Sequence, residues 1–215
     1  MYVGFGSIVV DSPQDLTALI FEAVRLADVR AIVCQGWSEL GALAAIPSNI
    51  FLINDCPHDW LFRHVSCVVH HGGAGTTAAG LAAGRPTVVV PFFGDQLFWG
   101  STVLNAGAGP RPLPYKRLTA NDLADAIVMA LDATVVTNAS LLAARLNDEK
   151  GAESAVHSFH QALPLDVMAC SMDDKRAAVW QFRGRGSGAK LSSLAATILR
   201  KEGLLDFNQL ELYAA

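Results

Sequence analysis

The sequence predicts an α/β fold, a doubly wound parallel sheet, and three observations support this prediction. Short β-branched runs alternate with amphipathic segments through the first 150 residues, as strands alternate with helices in such sheets. Hydrophobic residues make up 52% of the 215-residue chain, which is enough for a substantial buried core. Glycine-rich or polar segments follow the predicted strands, as loops at a sheet edge do.

The predicted strands are short runs of Val, Ile, Leu, Phe and Cys between polar segments. Residues of this kind pack well on a sheet that helices cover on both faces. The strands are predicted near residues 2–5, 31–34, 50–53, 67–70 and 87–91, with a short last strand near residues 111–113.

Two helices have clear start signals. Ser12 is a predicted N-cap, Pro13 occupies the first helical position, and the helix runs to about residue 27. Thr119 is likewise a predicted N-cap, with the Asp122 carboxylate at the third helical position. They predict a second helix that continues through residue 131.

The periodic pattern weakens after about residue 150, which predicts two parts. Residues 1–150 form the sheet domain, and residues 151–215 form a helical extension. Seven of the 16 lysines and arginines lie between residues 175 and 201. This basic stretch has two interpretations, a solvated face or a contact with phospholipid head groups or a partner domain.

Composition excludes several classes of function. The net charge of −4 gives no reason to expect a nucleic-acid partner. The four cysteines show no C-x-x-C pair and no metal-ligand spacing, which predicts reduced thiols and no metal site. The chain has no leader-like start and no apolar run near the roughly 20 residues of a membrane span. We therefore expect a cytoplasmic protein, soluble or peripheral at a membrane.

A glycine-rich turn joins the fourth predicted strand to a helix of small residues, with the sequence HHGGAGTT at residues 70–77. Such a backbone can approach an anion closely, and the following helix offers unpaired N–H groups and a partial positive charge. A tight turn that only packs the strand on the helix gives the same pattern. Dinucleotide, P-loop, nucleophile-elbow and zincin motifs are absent from the sequence, which argues against those classes of enzyme.

Glycine-rich or polar segments that could contact a ligand follow all five main strands. In open parallel sheets ligands bind at the carboxyl ends of the strands, so these loops are expected to converge on a single site. The loops contain Gly6 and Ser7, then Gln35 to Trp37, then residues 54–58, then the glycine-rich turn, and finally Gly94 to Gln96.

Three of these segments together resemble the nucleotide-sugar-binding half of UDP-glycosyltransferases. They are DCPHDWLF at residues 55–62, HHGGAGTT at residues 70–77 and PFFGDQLFWG at residues 91–100. The likeness covers residues 4 to about 131 and is strongest to sterol 3-beta-glucosyltransferases, with a tail similar to fungal members. It implies the C-terminal, Rossmann-like domain of a GT-B glycosyltransferase, whose acceptor-binding domain lies outside this chain.

The resemblance also implies which residues hold the diphosphate of the donor. His71 matches the histidine that donates to the diphosphate, and His70 is assigned a structural role. Backbone N–H groups and one hydroxyl complete this part of the site. The residues that supply them are Gly73, Gly75 and Thr76, with a second phosphate-contacting turn at Gly6 and Ser7.

The resemblance likewise implies which residues bind the base and the sugar of the donor. Cys56 stands where the family pairs backbone groups with uracil, so its thiol can equally be that of a small loop residue. Trp37 either stacks on the base or packs against the protein. Asp95 and Gln96 match the pair that binds glucose hydroxyls, although Asp95 also suits a helix N-cap. Ala79 replaces the glutamate with which plant small-molecule enzymes bind ribose.

The implied activity is transfer of glucose from UDP-glucose to a sterol 3-hydroxyl, or to another lipid acceptor, with inversion and without a cofactor or metal. No catalytic residue is assigned within this chain, because the general base belongs to the acceptor-binding domain. A non-catalytic nucleotide-sugar-binding module is the second hypothesis. A UDP-sugar epimerase is a weaker third one, because its acid and base residues cannot be placed in the sequence.

Overall fold

The five predicted β-branched runs form one parallel sheet. Its strands are β1 (Tyr2–Gly4), β2 (Ala31–Cys34), β3 (Ile50–Ile53), β4 (Val68–His70) and β5 (Thr87–Val89). Their order is β3-β2-β1-β4-β5, so the chain winds outward from β1 in both directions. This confirms the predicted doubly wound sheet. The computed structural model describes residues 1–42, 45–183 and 188–213.

Helices cover both faces of the sheet because successive strand residues point to opposite sides. Val3 and Val69 face a core shared with the helices at Pro13–Leu26 and Ala120–Ala130, whereas Tyr2 and Val68 face a second cluster that contains Phe62. The helices that accompany this sheet are α1 (Pro13–Leu26), α2 (His58–Leu61), α3 (Ala74–Ala82), α4 (Gln96–Asn105), α5 (Ala120–Ala130) and α6 (Ala133–Asp148).

The two predicted helix starts are confirmed in position and differ in chemistry. Thr119 caps α5, with its hydroxyl oxygen accepting the Asp122 N–H at 3.1 Å. Ser12 occupies the N-cap of α1, but its hydroxyl donates to the Asp15 carboxylate at 2.7 Å and caps no backbone N–H.

The predicted last strand near residues 111–113 does not form. Leu113 donates its N–H to the Val89 carbonyl at 2.9 Å, so the segment runs beside β5. Pro110 and Pro112 have no N–H group and cannot extend this contact into a ladder. The sheet therefore ends at β5.

The chain divides into two compact units, Met1–Glu149 and Lys150–Ala215. The second unit is mixed α/β, which corrects the prediction of a helical extension. Its strands have two to five residues, too few to show alternation in the sequence, and the strand at Asp173–Ala177 has the charged sequence DDKRA. The elements are α7 (Gly151–Ala162), α8 (Leu165–Met168), β6 (Ala169–Cys170), β7 (Asp173–Ala177), β8 (Trp180–Phe182), β9 (Lys190–Leu191), α9 (Ser193–Lys201) and β10 (Leu210–Leu212).

Within the second unit, β6 pairs with β7, and a three-stranded sheet has the order β10-β8-β9. Leu191, Ala196, Leu205 and Leu210 form its small core. Across the described ranges, no single helix has the length and apolar composition of a membrane span; only α5 and α6 taken together, bent by 65°, meet that test.

Candidate functional site

The loops after β1, β2 and β4 meet at the carboxyl edge of the sheet. The Trp37 N–H donates to the Gly6 carbonyl at 3.1 Å, and a β-carbon on Gly36 would lie 2.6 Å from the same oxygen. A β-carbon on Gly6 would lie 3.6 Å from Cε1 of His71. The structure thus brings the predicted Gly6 turn, Trp37 and His71 together.

Gly72 fixes the glycine-rich turn against the neighbouring elements. Its φ angle is +92°, in the region that favours glycine. A β-carbon there would lie 2.6 Å from Cγ1 of Val89 and 2.9 Å from the carbonyl oxygen of Gln96. The turn therefore packs on the end of β5 and the start of α4.

The N-terminus of α3 presents free N–H groups beside this turn. The first helical bond is from the Thr77 N–H to the Gly73 carbonyl at 2.9 Å, and the Thr77 hydroxyl donates to the same oxygen. Within the described part of the chain, the N–H groups of residues 73–76 and the Thr76 hydroxyl have no partner. No atom lies within 4 Å of a β-carbon placed on Gly75, so this end is open to an anion.

The two histidines at the end of β4 have different surroundings. His70 is fully buried, and its Nδ1 accepts the Gly72 N–H at 2.9 Å. Burial, followed by the nearby His71 and His58, lowers the pKa of His70 to about 3. His71 is half-buried, and burial and His58 lower its pKa while Asp95 raises it. Both imidazoles are neutral at neutral pH in the free protein.

The buried His70 predicts a loss of stability in acid. Its folded pKa lies below the unfolded value, so the unfolded chain takes up the proton first. The stability is complete above about pH 6.5 and falls as the pH decreases towards the folded value, by on the order of a few kcal/mol. Urea unfolding at about pH 7 and about pH 4.5 measures this loss. His70→Asn should lose clearly less between these pH values; an equal loss would contradict the assignment.

Asp95 and Gln96, the predicted sugar-binding pair, have unequal roles. Asp95 is exposed just before α4, and its Oδ2 accepts the indole N–H of Trp99 at 2.7 Å. Its other oxygen points to no described partner. Gln96 is buried, and its Oε1 accepts the N–H groups of Phe92 and Phe93 at 2.7 and 3.1 Å. Gln96 therefore holds the loop, and only its amide nitrogen is left for a ligand.

The predicted base-binding residues, Trp37 and Cys56, also differ in their exposure to a ligand. Trp37 is 74% exposed, so its indole does not pack in the core and is available for stacking. Cys56 packs its side chain against the buried cluster of Tyr2 and Phe62, which leaves backbone groups for a ligand. Ser7 is exposed beside Gly6.

Two side chains at this edge of the sheet have roles that the sequence did not predict, although His58 lies in the loop at residues 54–58 that was expected to converge there. His58 stacks on Phe62 with ring centroids 4.5 Å apart, and its Nε2 lies 3.3 Å from the Tyr2 hydroxyl. It also lies near enough to His70 and His71 to lower the pKa of both. Trp99 orients Asp95, and the helical spacing of four residues between them is the signal that could have identified it.

All four cysteines are free, and Cys34 and Cys67 are buried as predicted. In the part of the chain that the structure describes, no group of three or more His, Cys, Asp or Glu side chains is arranged to hold a metal ion.

Comparisons with known proteins give consistent results. Residues 18–163 match the family described as erythromycin biosynthesis protein CIII-like, C-terminal domain. Sterol 3-beta-glucosyltransferase UGT80B1 of Arabidopsis thaliana is 48% identical over 168 residues, which cover 78% of this chain and 27% of the plant protein. Sterol 3-beta-glucosyltransferase of Saccharomyces cerevisiae is 43% identical over 171 residues, 76% of this chain and 14% of the yeast protein.

The chain spans about a quarter or less of the length of these two relatives. Among solved structures, the glycotransferase of kitacinnamycin matches with a TM-score of 0.64 and 25% identity, over 76% of this chain and 43% of that one. This likeness confirms the predicted α/β fold of GT-B glycosyltransferases.

Proposed function

The chain belongs to the erythromycin biosynthesis protein CIII-like C-terminal domain family, and from this membership we propose that it binds the donor of a UDP-glucose-dependent sterol glucosyltransferase. The observation that supports this most directly is the convergence of the Gly6 turn, His71 and the free N–H groups at the N-terminus of α3. His71 lies between the other two, with Cε1 towards Gly6 and Nε2 towards Gly73. A neutral imidazole and a row of free N–H groups suit a doubly charged ligand.

The two ends of the donor have separate places in this proposal. Trp37 stacks on the uracil, and backbone groups near Cys56 pair with its edge. The free oxygen of Asp95 accepts from glucose hydroxyls, since Trp99 holds the other oxygen. The diphosphate is held by protein groups alone, without metal or cofactor.

The acceptor class is supported by apolar side chains that flank Asp95. Phe93, Leu97 and Phe98, each within three residues of Asp95 in the sequence, are 68%, 53% and 63% exposed, so apolar side chains are available close to the proposed sugar position. A sterol would cover such a surface while its 3-hydroxyl approached the sugar. We place the protein in the cytoplasm, consistent with its four free cysteines.

The proposed chemistry is a single displacement. A base outside this chain takes the proton of the sterol hydroxyl, and the oxygen attacks the anomeric carbon from the face opposite UDP. The bond from that carbon to UDP breaks, its electron pair goes to the β-phosphate oxygen, and the anomeric configuration inverts. His71 and the α3 N–H groups stabilise the negative charge that develops on UDP.

Calorimetric titration with UDP-glucose, UDP, uridine and ADP-glucose tests the proposal. We expect UDP and UDP-glucose to bind, uridine to bind more weakly, and ADP-glucose to bind far more weakly than UDP-glucose. A parallel assay measures transfer of glucose to a sterol. Binding without transfer by the isolated chain supports the donor role and leaves turnover to the acceptor-binding part. Absence of UDP binding would refute the proposal.

Asp95→Asn is expected to weaken UDP-glucose binding by about tenfold and to change UDP binding by less than about twofold. The substitution keeps the shape of the side chain but removes the charge that accepts from sugar hydroxyls. Competition titration with both ligands measures the two effects. Asp125→Asn, a change at an exposed position of α5, is the matched control. A comparable loss for UDP would place Asp95 at the nucleotide instead.

A further inference from the structure

We propose that His70 is a positioning residue for the diphosphate: its Nδ1 holds the Gly72 N–H and so aims the glycine-rich turn, His71 and the start of α3 at the ligand. His70 touches no ligand itself and acts through the backbone of the turn. This inference rests on the function proposed above.

The hydrogen bond lies at the point where the chain changes direction. His70 is the last residue of β4, in register with Gly4 of β1, and is therefore fixed in the sheet. Gly72, two residues later, is buried with a φ angle of +92°. The 2.9 Å bond between them joins the rigid strand to the turn. It is a buried bond, so the N–H of Gly72 would have no water to replace a lost partner.

The ring nitrogen that is not bonded to Gly72 does not explain the histidine at this position. Nε2 of His70 is fully buried and has no hydrogen-bond partner among the described residues. Such an orphan group costs about 1–3 kcal/mol; an apolar side chain of similar volume would remove that penalty but would leave the buried Gly72 N–H without its acceptor. The bond that Nδ1 makes to the turn gives the physical reason for an imidazole here.

The tautomer follows from the same bond. Because Nδ1 accepts from Gly72, the proton of the neutral ring lies on Nε2. Protonation of Nδ1 would turn two donors towards each other, and burial opposes it. The acceptor is therefore available at any pH at which the protein would meet a nucleotide.

The turn transmits the position of His70 to the groups that face the ligand. The rings of His70 and His71 meet edge to face, with centroids 6.0 Å apart and an interplanar angle of 80°. A β-carbon on Gly73 would lie 2.5 Å from Nε2 of His71, so that ring lies closely over the first turn of α3. A small rotation at Gly72 would move His71 and the N–H groups of residues 73–76 together.

The test compares an apolar and a polar replacement of His70. His70→Leu keeps a similar volume and removes the acceptor, whereas His70→Asn keeps an acceptor oxygen near the position of Nδ1. The measured quantity is the ratio of uridine to UDP dissociation constants, obtained by calorimetry. We expect the ratio to fall about tenfold in His70→Leu and to stay within about threefold of the wild type in His70→Asn.

Val69→Ala is the matched control, because Val69 is equally buried in the same strand and faces the opposite core. It should lower the stability and leave the ratio unchanged. A wild-type ratio in His70→Leu, or equal falls in both His70 variants, would overturn the inference. Failure of the wild type to bind UDP would instead refute the proposed function.

Nitrogen-15 NMR of the wild-type protein tests the hydrogen bond without any variant. We expect His70 to carry its proton on Nε2, to remain neutral down to about pH 4.5, and to show a coupling across the bond from its Nδ1 to the Gly72 nitrogen. This result supports the inference even if His70→Leu does not fold. A proton on Nδ1 would overturn it.

Discussion

His71→Ala is expected to weaken UDP binding by about 10- to 100-fold and uridine binding by less than about twofold. The imidazole lies between the Gly6 turn and Gly73. In the proposed function a donor in this position bonds to the phosphates and not to the nucleoside. A bond from a ring N–H to a charged phosphate is stronger than a bond between neutral groups, which explains the large factor. Uridine lacks the phosphates, so its affinity should change little.

Calorimetry with both ligands measures the effect, and the thermal midpoint of each variant confirms that it is folded. His157→Ala removes an exposed histidine of α7 and serves as the matched control. His71→Gln should recover part of the affinity, because its side-chain amide still offers a donor. Equal losses for UDP and uridine would contradict the placement of the diphosphate at His71.

Gly72→Ala is expected to destabilise the protein by about 2–5 kcal/mol. Alanine would have to adopt the unfavourable φ angle of +92°. Its β-carbon would lie 2.6 Å from Cγ1 of Val89 and 2.9 Å from the carbonyl oxygen of Gln96. Neither neighbour can move freely, because Val89 belongs to β5 and the oxygen belongs to the backbone of α4. Urea unfolding of the wild type and the variant measures the loss.

Gly75→Ala, three residues away, is the matched control for that prediction. A β-carbon there meets no atom within 4 Å, and alanine favours a helix over glycine by about 1 kcal/mol. The control should therefore be as stable as the wild type or slightly more so. If Gly72→Ala proved as stable as Gly75→Ala, the packing of the turn against β5 and α4 would be incorrect.

The class and order of the main elements could be predicted because they depend on local patterns. β-Branched runs of four residues marked the strands at Ala31–Cys34 and Ile50–Ile53 with the bounds that the structure shows. Local patterns wrongly predicted a strand near residues 111–113. An apolar residue there does lie beside β5, but the prolines prevent a hydrogen-bonded ladder. Local patterns were also insufficient in the second unit, because strands as short as β6 and β9 have no period to detect.

Two expectations needed no structure: that a ligand site lies at the carboxyl edge of a parallel sheet, and that the turn at residues 70–77 can hold an anion. Both follow from chain direction and from the absence of β-carbons, which are local properties. The folded coordinates were needed to show that Gln96 points into the protein, that Trp99 holds Asp95, and that His70 bonds to Gly72. These roles depend on which atoms packing brings within about 3 Å of each other. Residue types alone do not specify such distances.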